Sequence, residues 1–268
     1  MRMFVFGTGY SAGRIAALLR ASGWAVAGTG RGGTVDFGDH GRVRAEVAAS
    51  THVLSSVPPD RDSGDPVLGR YGDLLAGSGK WLGYLSSTGV YGDAGGAWVD
   101  ESAPVGTGRR TARSDADADW LGLGARVFRL PGIYGPGRSA LDRVREGRAH
   151  RIDIAGQVFS RVHVDDIASG VLLGIDGPPG AYNLADDYPC SQNELIEHAC
   201  RMLGAPVPPM QTMDEANLSP MARGFYAENR RVANGKAKRV LGWRPLFPTY
   251  REGLAACLQR DGQPDECE

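Results

Sequence analysis

The sequence predicts an α/β fold with a doubly wound parallel sheet, and three observations support this prediction. Short apolar strands alternate with amphipathic helices over about the first 130 residues. A glycine-rich turn follows the first predicted strand directly and opens the first helix. Apolar residues make up 42% of the 268 residues, which is enough to cover both faces of such a sheet.

The predicted elements follow one another in a regular order. MFVFG is the first strand, GRIAALLRASG the first helix, WAVAGTGR the second strand and VDF a short third strand. The helix GRVRAEVAAS leads into the strand THVLSSV, and the helix PVLGRYGDLLAG into the strand KWLGYLSST. The helix ADADWLGLG and the strand ARVFRL complete this alternation. Sheets of this kind bind ligands at the carboxyl ends of their strands.

After Leu130 the pattern changes to loops and helices. A charged helix is predicted at LDRVREGR, and two short strands at FSRVHV and AYNL. The helix SQNELIEHACRML, the connector APVPPMQTM and a final helix ending in YREGLAACL follow. We predict a sheet domain over residues 1–135, completed by residues 158–186, and a smaller lobe formed by residues 136–157 and 187–268.

Composition and charge exclude several classes of partner. The 30 basic and 31 acidic residues give a net charge of -1, so binding to nucleic acid is not predicted. No stretch reaches the roughly 18 apolar residues of a membrane span, so no membrane partner is predicted. The four cysteines lack C-x-x-C spacing, which favours reduced thiols and a cytoplasmic location. A homodimer remains an open alternative.

The turn GTGYSA has the spacing of a dinucleotide-binding turn. Gly7 permits the tight turn, Gly9 lets the backbone approach a pyrophosphate, and Ala12 permits close helix packing. The amino terminus of the following helix would face the anion. The alternative is an ordinary glycine-rich turn, but its place between the first strand and the first helix favours a dinucleotide cofactor.

The end of the second strand indicates which dinucleotide is bound. An NAD site usually carries Asp or Glu there to bind the ribose hydroxyls, but this chain has Gly30 and Arg31 in GTGR. A guanidinium binds a 2′-phosphate bidentately, so NADP(H) is favoured over NAD(H), with NAD still open. Alternatively, Arg31 is only a solvated loop cation.

Five further motifs follow in one order: SSTGVYGD, RLPGIYGPG, RVHVDDIA, YNLADD and RRVANGKAKRVLGWRP. Together they resemble the extended short-chain dehydrogenase/reductase family, the NAD(P)-dependent epimerases and dehydratases. The resemblance runs over about residues 1–255. It implies a Rossmann domain, a small carboxyl-terminal substrate domain and a cleft between them for a small-molecule substrate, most commonly a sugar nucleotide.

By this resemblance, Ser87 helps to hold the reacting oxygen of the substrate. The alternative is that its hydroxyl satisfies backbone groups at the end of the strand. The dehydratases of the family carry an Asp-Glu pair immediately after this serine. Here those positions are Thr88 and Gly89, so dehydration by that route is not predicted.

The family's proton relay is a tyrosine and a lysine four residues apart, and these positions fall on Arg109 and Arg113. No tyrosine of the chain has a lysine four residues later. Arg113 can replace the lysine by binding the ribose hydroxyls. Arg109 cannot transfer a proton near neutral pH, but it can bind an anion or stabilise an oxyanion. The alternative is a helix face on which both arginines pair with Asp115, Asp117 and Asp119, read as a solvated face.

Several other residues are candidates for the cleft. Tyr91, and less strongly Tyr134, could replace the missing phenol as proton donor. Arg138 and Arg161 are candidate contacts for an anionic group of the substrate. The HVDD motif contains His163 and two aspartates, which we interpret as a helix cap, and no metal is predicted.

The predictions can be gathered by role. Catalytic roles are predicted for Ser87, Arg109, Arg113 and Tyr91, and substrate contacts for Tyr91, Arg138 and Arg161. Cofactor contacts are predicted for Gly7, Gly9, Tyr10, Ser11, Ala12, Arg31, Val57, Pro58, Ser86, Arg113, Pro131 and Ile133. Two functions follow: an NADP(H)-dependent oxidoreductase or epimerase with an atypical active site, or a catalytically silent NADP(H)-binding sensor.

Overall fold

A computed structural model describes residues 1–108 and 111–261 of the chain. The strands are β1 (Arg2–Phe6), β2 (Ala25–Gly28), β3 (His52–Ser55), β4 (Trp81–Ser87), β5 (Trp98–Val99), β6 (Arg126–Leu130), β7 (Gly132–Tyr134), β8 (Arg151–Ile152), β9 (Arg161–His163), β10 (Gly180–Asn183), β11 (Met210–Gln211) and β12 (Arg231–Val232). The helices are α1 (Tyr10–Ala21), α2 (His40–Ala49), α3 (Pro66–Leu75), α4 (Thr111–Gly122), α5 (Ala140–Arg145), α6 (Val164–Gly174), α7 (Gln192–Leu203), α8 (Pro220–Tyr226), α9 (Gly235–Val240) and α10 (Tyr250–Asp261), with one 3₁₀ helix at Thr88–Tyr91.

The central sheet has six strands in the order β10-β6-β4-β3-β1-β2, and each neighbouring pair is parallel. The predicted doubly wound parallel sheet is therefore confirmed. From β1 the chain passes to β2 on one side, and β3 lies on the other side of β1. This is the topological switch point, where the carboxyl ends of β1 and β3 open a crevice for a ligand.

Two apolar clusters cover the two faces of the sheet. The first contains Ile15 and Leu19 from α1 together with Phe128 from β6 and Val171 from α6. The second contains Val43 and Val47 of α2, Tyr71 of α3 and Trp120 of α4. Helices on both faces bury strands that read as nearly continuous apolar runs, as a parallel sheet requires.

A third cluster lies outside the sheet, where Leu141 of α5, Leu195 of α7 and Leu254 of α10 pack together. This is the packing that a separate lobe would have. However, Leu241 and Trp243, which follow α9 directly, pack into the first cluster against the sheet. The predicted division of the chain into two parts therefore stays a prediction.

The VDF segment is wrong as a predicted strand. Val35 forms only an isolated bridge with Thr29, and the third strand of the chain is His52–Ser55. The reason is local, because the Asp36 carboxylate accepts a hydrogen bond from the Gly38 amide at 2.6 Å. That contact turns the backbone immediately after Val35.

None of the helices within the described residues is long and apolar enough to cross a membrane.

Candidate functional site

The switch point of the sheet is built from two adjacent turns. The turn after β1 begins at Gly7, whose amide donates to the Thr29 hydroxyl at 3.1 Å. The turn after β3 begins at Ser56, whose hydroxyl donates to the Gly7 carbonyl. Val57 lies against Gly7, and Pro58 follows on the exposed side. The predicted cofactor residues Gly7, Val57 and Pro58 are thus brought to one crevice.

The glycines of the first turn have different structural roles. Gly7 has a φ of +81°, and a Cβ there would lie 2.9 Å from the Val57 side chain, so only glycine fits without strain. A Cβ at Gly9 would meet nothing within 4 Å, which leaves open space beside the backbone. This space is where a bound pyrophosphate would approach a dinucleotide turn.

Helix α1 begins at this turn without a side-chain cap. Gly9 is its N-cap residue, no side chain among residues 1–108 and 111–261 caps it, and the first turn has no acidic residue. The helix amino terminus therefore offers partial positive charge and unpaired amides to an anion. Ala12 is buried against the first cluster, while Ser11 is partly exposed at the mouth of the turn. The described residues fit a dinucleotide pyrophosphate.

Tyr10 joins this turn to the loop after β7. Its hydroxyl donates to the Pro136 carbonyl at 3.0 Å, and the Arg138 guanidinium lies 5.6 Å from the centre of its ring. Burial raises the pKa of Tyr10 to about 12. Arg138, predicted to contact the substrate, is thus beside the dinucleotide turn, with its side chain exposed.

The end of β2 lies on the other side of the same turn. Gly30 has a φ of +95°, and a Cβ there would lie 3.1 Å from the Thr8 amide nitrogen. Arg31 follows with an exposed side chain. No acidic side chain occurs between Gly28 and Thr34. The segment that follows β2 directly thus presents an exposed cation and carries no carboxylate of its own.

Ser87 is the last residue of β4 and lies at the carboxyl edge of the sheet, partly buried. Its hydroxyl oxygen accepts a hydrogen bond from the Gly89 amide at 3.1 Å and caps the 3₁₀ helix that follows. The cap and the predicted substrate contact are compatible, because a hydroxyl whose oxygen accepts from an amide still has a proton to donate. Pro131 lies just after β6, the neighbouring strand, and Ile133 packs against the first cluster.

The side chain of Ser86 does not face the crevice. It is 4% exposed, and its hydroxyl donates to the Asp117 carboxylate at 2.6 Å. The hydroxyl is thus held on the Asp117 side of the sheet, and the predicted cofactor contact of Ser86 stays a prediction.

Tyr91 is not placed as a proton donor. Its ring is 3% exposed, and its hydroxyl donates to Asn183 Oδ1 at 2.8 Å and accepts from Arg129 at 3.0 Å. Burial raises the pKa of this phenol. Tyr134 is also buried, with its hydroxyl against Gly253 of α10. Both phenols are packed into the protein interior, which overturns their predicted catalytic roles.

Asp117 overturns the prediction of a solvated acidic face. Asp115 and Asp119 are exposed, but Asp117 is 0% exposed and forms a bidentate pair with Arg129, at 2.6 and 3.1 Å. The signal that could have found this pair is Arg129 itself, a cation inside the buried strand RVFRL. A charge in such a strand needs a buried partner.

The two arginines of the predicted dyad have different outcomes. Arg109 lies outside the described residues. Arg113 lies in the first turn of α4, partly buried, where its charge acts on the buried phenol of Tyr84 and lowers that pKa against the stronger effect of burial. Arg113 also takes part in further contacts. Its predicted role at the ribose stays a prediction.

Arg161 is not available to a substrate. It is 5% exposed, and one of its guanidinium nitrogens donates to the carbonyls of Phe159 and Cys190, at 3.0 and 3.2 Å. The other lies 3.4 Å from the Ser191 carbonyl and 3.3 Å from the Gln192 side chain. The prediction of an anion contact is wrong, because these acceptors hold the guanidinium in the protein interior.

Residues of the HVDD motif form ion pairs and hydrogen bonds with the carboxyl-terminal part of the chain. His163, not an aspartate, caps α6 by accepting from the Asp165 amide. Asp165 pairs with Arg14 of α1 at 2.5 Å and with Arg260 of α10 at 2.9 Å. Asp166 accepts from two backbone amides of the loop before α10. No group of three or more potential metal ligands occurs among residues 1–108 and 111–261.

Solved structures resemble this fold closely. A functionally unknown conserved protein from Silicibacter pomeroyi DSS is 40% identical, with a TM-score of 0.86 over 97% of this chain and 98% of that one. The human epimerase family protein SDR39U1 (isoform 2), solved with NADPH, is 17% identical, with a TM-score of 0.76 over 97% and 99% of the two chains. No family model matches the chain.

A curated relative matches part of the sequence. A 3-diazoavenalumate denitrifying reductase from Streptomyces sp is 32% identical over 151 residues, which are 52% of this chain and 48% of the relative. The chain thus spans about half the length of the curated relative that it matches.

The parallel sheet with the glycine-rich turn at its switch point is the fold that the human epimerase family protein also has, which confirms the predicted Rossmann architecture. At 40% identity over nearly all of both chains, this chain belongs to the family of the Silicibacter pomeroyi protein.

Proposed function

We propose that the chain binds NADP(H) at the turn after β1 and transfers hydride to or from a small molecule in the adjacent cleft. One observation carries the proposal: the uncapped amino terminus of α1 faces the open space beside Gly9. Backbone amides and open space are what a pyrophosphate needs. The human structure with NADPH supports the same class of cofactor.

The preference for NADP(H) over NAD(H) rests on Arg31. Calorimetric titration should show tighter binding of NADPH than of NADH, and Arg31→Ala should weaken only NADPH, by about 1–3 kcal/mol for a lost charge-assisted hydrogen bond. Arg42→Ala, an exposed arginine on α2, is the matched control. Equal affinities of the parent chain for the two cofactors would remove the role of Arg31.

Three residues have different proposed roles around the cofactor: Ser87, Arg113 and Arg109. When bound, the nicotinamide supplies or accepts a hydride. Ser87 donates its hydroxyl proton in a hydrogen bond to the substrate oxygen, and Arg113 binds the nicotinamide ribose. Arg109, always charged, stabilises negative charge that develops on the substrate.

The buried phenols restrict the reaction. Tyr91 and Tyr134 are held inside the protein, so they offer no proton to the cleft. We infer that, for a carbonyl acceptor, the proton that must follow the hydride comes from solvent or from the substrate. If the acceptor is instead a cation, the hydride alone neutralises it and no proton is needed. The curated relative is named a reductase, which supports an oxidoreductase here over an epimerase.

The second candidate function is a catalytically silent NADP(H)-binding sensor. The buried phenols favour it, because the usual proton relay of the family has no tyrosine here. Ser87→Ala separates the two functions: for an enzyme it lowers turnover while NADPH affinity stays within a few-fold of the parent. NADPH that remains unoxidised with a panel of carbonyl, diazo and sugar-nucleotide acceptors would support the sensor.

A further inference from the structure

A surface groove of about 360 Å³ lies along the outer side of α1. Arg14 and Ala17 line it from α1, Val164 from the start of α6 and Arg260 from the end of α10. Gly13 also lines it, and a Cβ there would meet nothing within 4 Å, so the helix leaves room at this point. The groove is thus formed by three helices that are distant from one another along the chain.

Two arginines of the groove converge on one carboxylate. Arg14 Nε donates to Asp165 Oδ1 at 2.5 Å, and Arg260 Nη2 donates to Asp165 Oδ2 at 2.9 Å. The Asp165 side chain is only 7% exposed, so its carboxylate holds both guanidiniums in place. Each guanidinium uses one nitrogen in this contact, although an arginine carries five N–H donors. Within residues 1–108 and 111–261, neither arginine forms another hydrogen bond or ion pair, so both have donors left for a further acceptor.

The charge at the groove is positive, because these two arginines face a single carboxylate. Arg138 adds a third positive charge beside it, since its guanidinium lies 5.6 Å from the centre of the Tyr10 ring, which also lines the groove. Arg138 forms no ion pair within the described part of the chain. Asp142, whose charge also acts on Tyr10, is itself paired with Arg145 at 3.7 Å. Three cations and one unshared carboxylate leave an excess that suits a dianion.

The remaining surface of the groove is mostly apolar. The side chain of Val164 and the Tyr10 hydroxyl both lie against Gly135, where a Cβ would be 2.7 Å from the first and 2.5 Å from the second. The Tyr10 hydroxyl donates to the Pro136 carbonyl at 3.0 Å, which holds the ring in place as a wall. Ala17 exposes only a methyl group on the opposite side. Guanidiniums beside a small apolar surface suit a phosphate group carried on an apolar or aromatic body.

We propose that this groove is a second ligand site, in which Arg14 and Arg260 bind the phosphate group of a small phosphate monoester. Such a group carries a charge of about −1.5 to −2 at pH 7 and accepts hydrogen bonds from several donors at once. Gly7 and Gly9, which form the dinucleotide turn, do not line the groove. The site does not depend on the proposed function, since it needs neither bound NADPH nor a reaction.

The test titrates phenyl phosphate by calorimetry into the full chain, with the neutral benzamide as its comparison. We expect phenyl phosphate to bind more than tenfold tighter than benzamide. Arg14→Gln and Arg260→Gln should each weaken phenyl phosphate at least fivefold, and Arg260→Lys should weaken it less than Arg260→Gln. Arg20→Gln is the matched control, because Arg20 is an exposed arginine of α1 that does not line the groove, and it should keep the parent affinity within twofold.

A second pair of variants leaves the ion pairs of Asp165 in place. Ala17→Phe fills the groove from an exposed position of α1, so it should weaken phenyl phosphate at least tenfold while the melting temperature stays within a few degrees of the parent. Ala21→Phe, one turn further along α1 and outside the groove, should bind phenyl phosphate like the parent.

Gly9→Val distinguishes the groove from the dinucleotide turn. It fills the space beside the turn and should keep the affinity for phenyl phosphate within twofold. If Gly9→Val lost phenyl phosphate while Ala17→Phe retained it, the phosphate would bind at the turn and the groove site would be overturned. No binding by the parent, or equal affinity of the parent, Arg14→Gln and Arg260→Gln, would overturn it as well. If the parent bound phenyl phosphate as expected but no NADPH, only the proposed function would fail.

Discussion

Asp186 carries a buried carboxylate that is only half satisfied. It is 2% exposed, one oxygen accepts from the Tyr188 amide at 3.3 Å, and the other has no hydrogen-bond partner within the described residues. Burial raises the pKa of Asp186 to about 8, and Arg161 opposes that rise only in part. The folded protein therefore holds a proton on Asp186 at pH values where the unfolded chain has released it.

This bound proton should make the free energy of unfolding depend on pH. Between about pH 4 and pH 8 the folded state binds more protons than the unfolded state, so Asp186 makes the free energy of unfolding fall as pH rises, by up to about 1.4 kcal/mol per pH unit. In urea titrations at pH 5, 7 and 9, Asp186→Asn should fall less steeply than the parent. Asp119→Asn, on the exposed side of α4, is the control. Parallel curves for the parent and Asp186→Asn would refute the assignment.

At the scale of an element, the turn between β1 and α1 contains one glycine that the fold requires and one that the fold does not require. Gly7 needs its positive φ for the turn to form, whereas Gly9 has an extended backbone with a φ of -86° that other residues also adopt. The backbone conformation therefore does not by itself require glycine at position 9. A side chain there should fill the pyrophosphate space and leave the fold intact.

Gly9→Val tests this difference. The melting temperature should stay within a few degrees of the parent, since a Cβ at Gly9 meets nothing within 4 Å. NADPH affinity should fall by more than about 100-fold, because the valine occupies the space of the pyrophosphate. Gly13→Ala, one turn further along α1 and also in open space, should bind NADPH like the parent. Retained NADPH binding by Gly9→Val would place the cofactor elsewhere.

At the scale of the whole molecule, a buried polar network ties the sheet to the helix that carries Arg113. The Asp117 carboxylate of α4 accepts hydrogen bonds from Arg129 of β6 and from Ser86 of β4. Arg129 also donates to the Tyr91 hydroxyl, which in turn donates to Asn183 of β10. Three neighbouring strands, α4 and the 3₁₀ helix are thus joined at the carboxyl edge of the sheet. Such a network specifies one arrangement when each member is satisfied.

Removing the cation from this network should be costly. Arg129→Met leaves the Asp117 carboxylate buried without its partner, which should lower the free energy of unfolding by about 3–5 kcal/mol. Arg44→Met, which breaks an exposed pair with Asp73, should cost less than about 1 kcal/mol. Urea titration measures both. Adding Asp117→Asn to Arg129→Met should recover part of the loss, and an Arg129→Met loss as small as that of Arg44→Met would contradict the network.

Much of the fold could be predicted because its signals are local. The alternation of apolar strands and helices and the GTGYSA turn depend on neighbouring residues, and the structure places β1, α1, β3 and β4 where these patterns indicate. VDF was the exception, because the Asp36 turn competes with strand formation. The site was predicted less well, since its residues come from distant parts of the chain.

The sequence by itself determined the doubly wound sheet and the place of the glycine-rich turn at its switch point. Only the tertiary structure decided which polar side chains reach the cleft. Tyr91 and Arg161 look accessible in their motifs, yet Arg129 and the carbonyls around Cys190 hold them in the interior. The physical reason is that burial and hydrogen-bond pairing depend on partners far away along the chain, which the spacing of a motif does not contain.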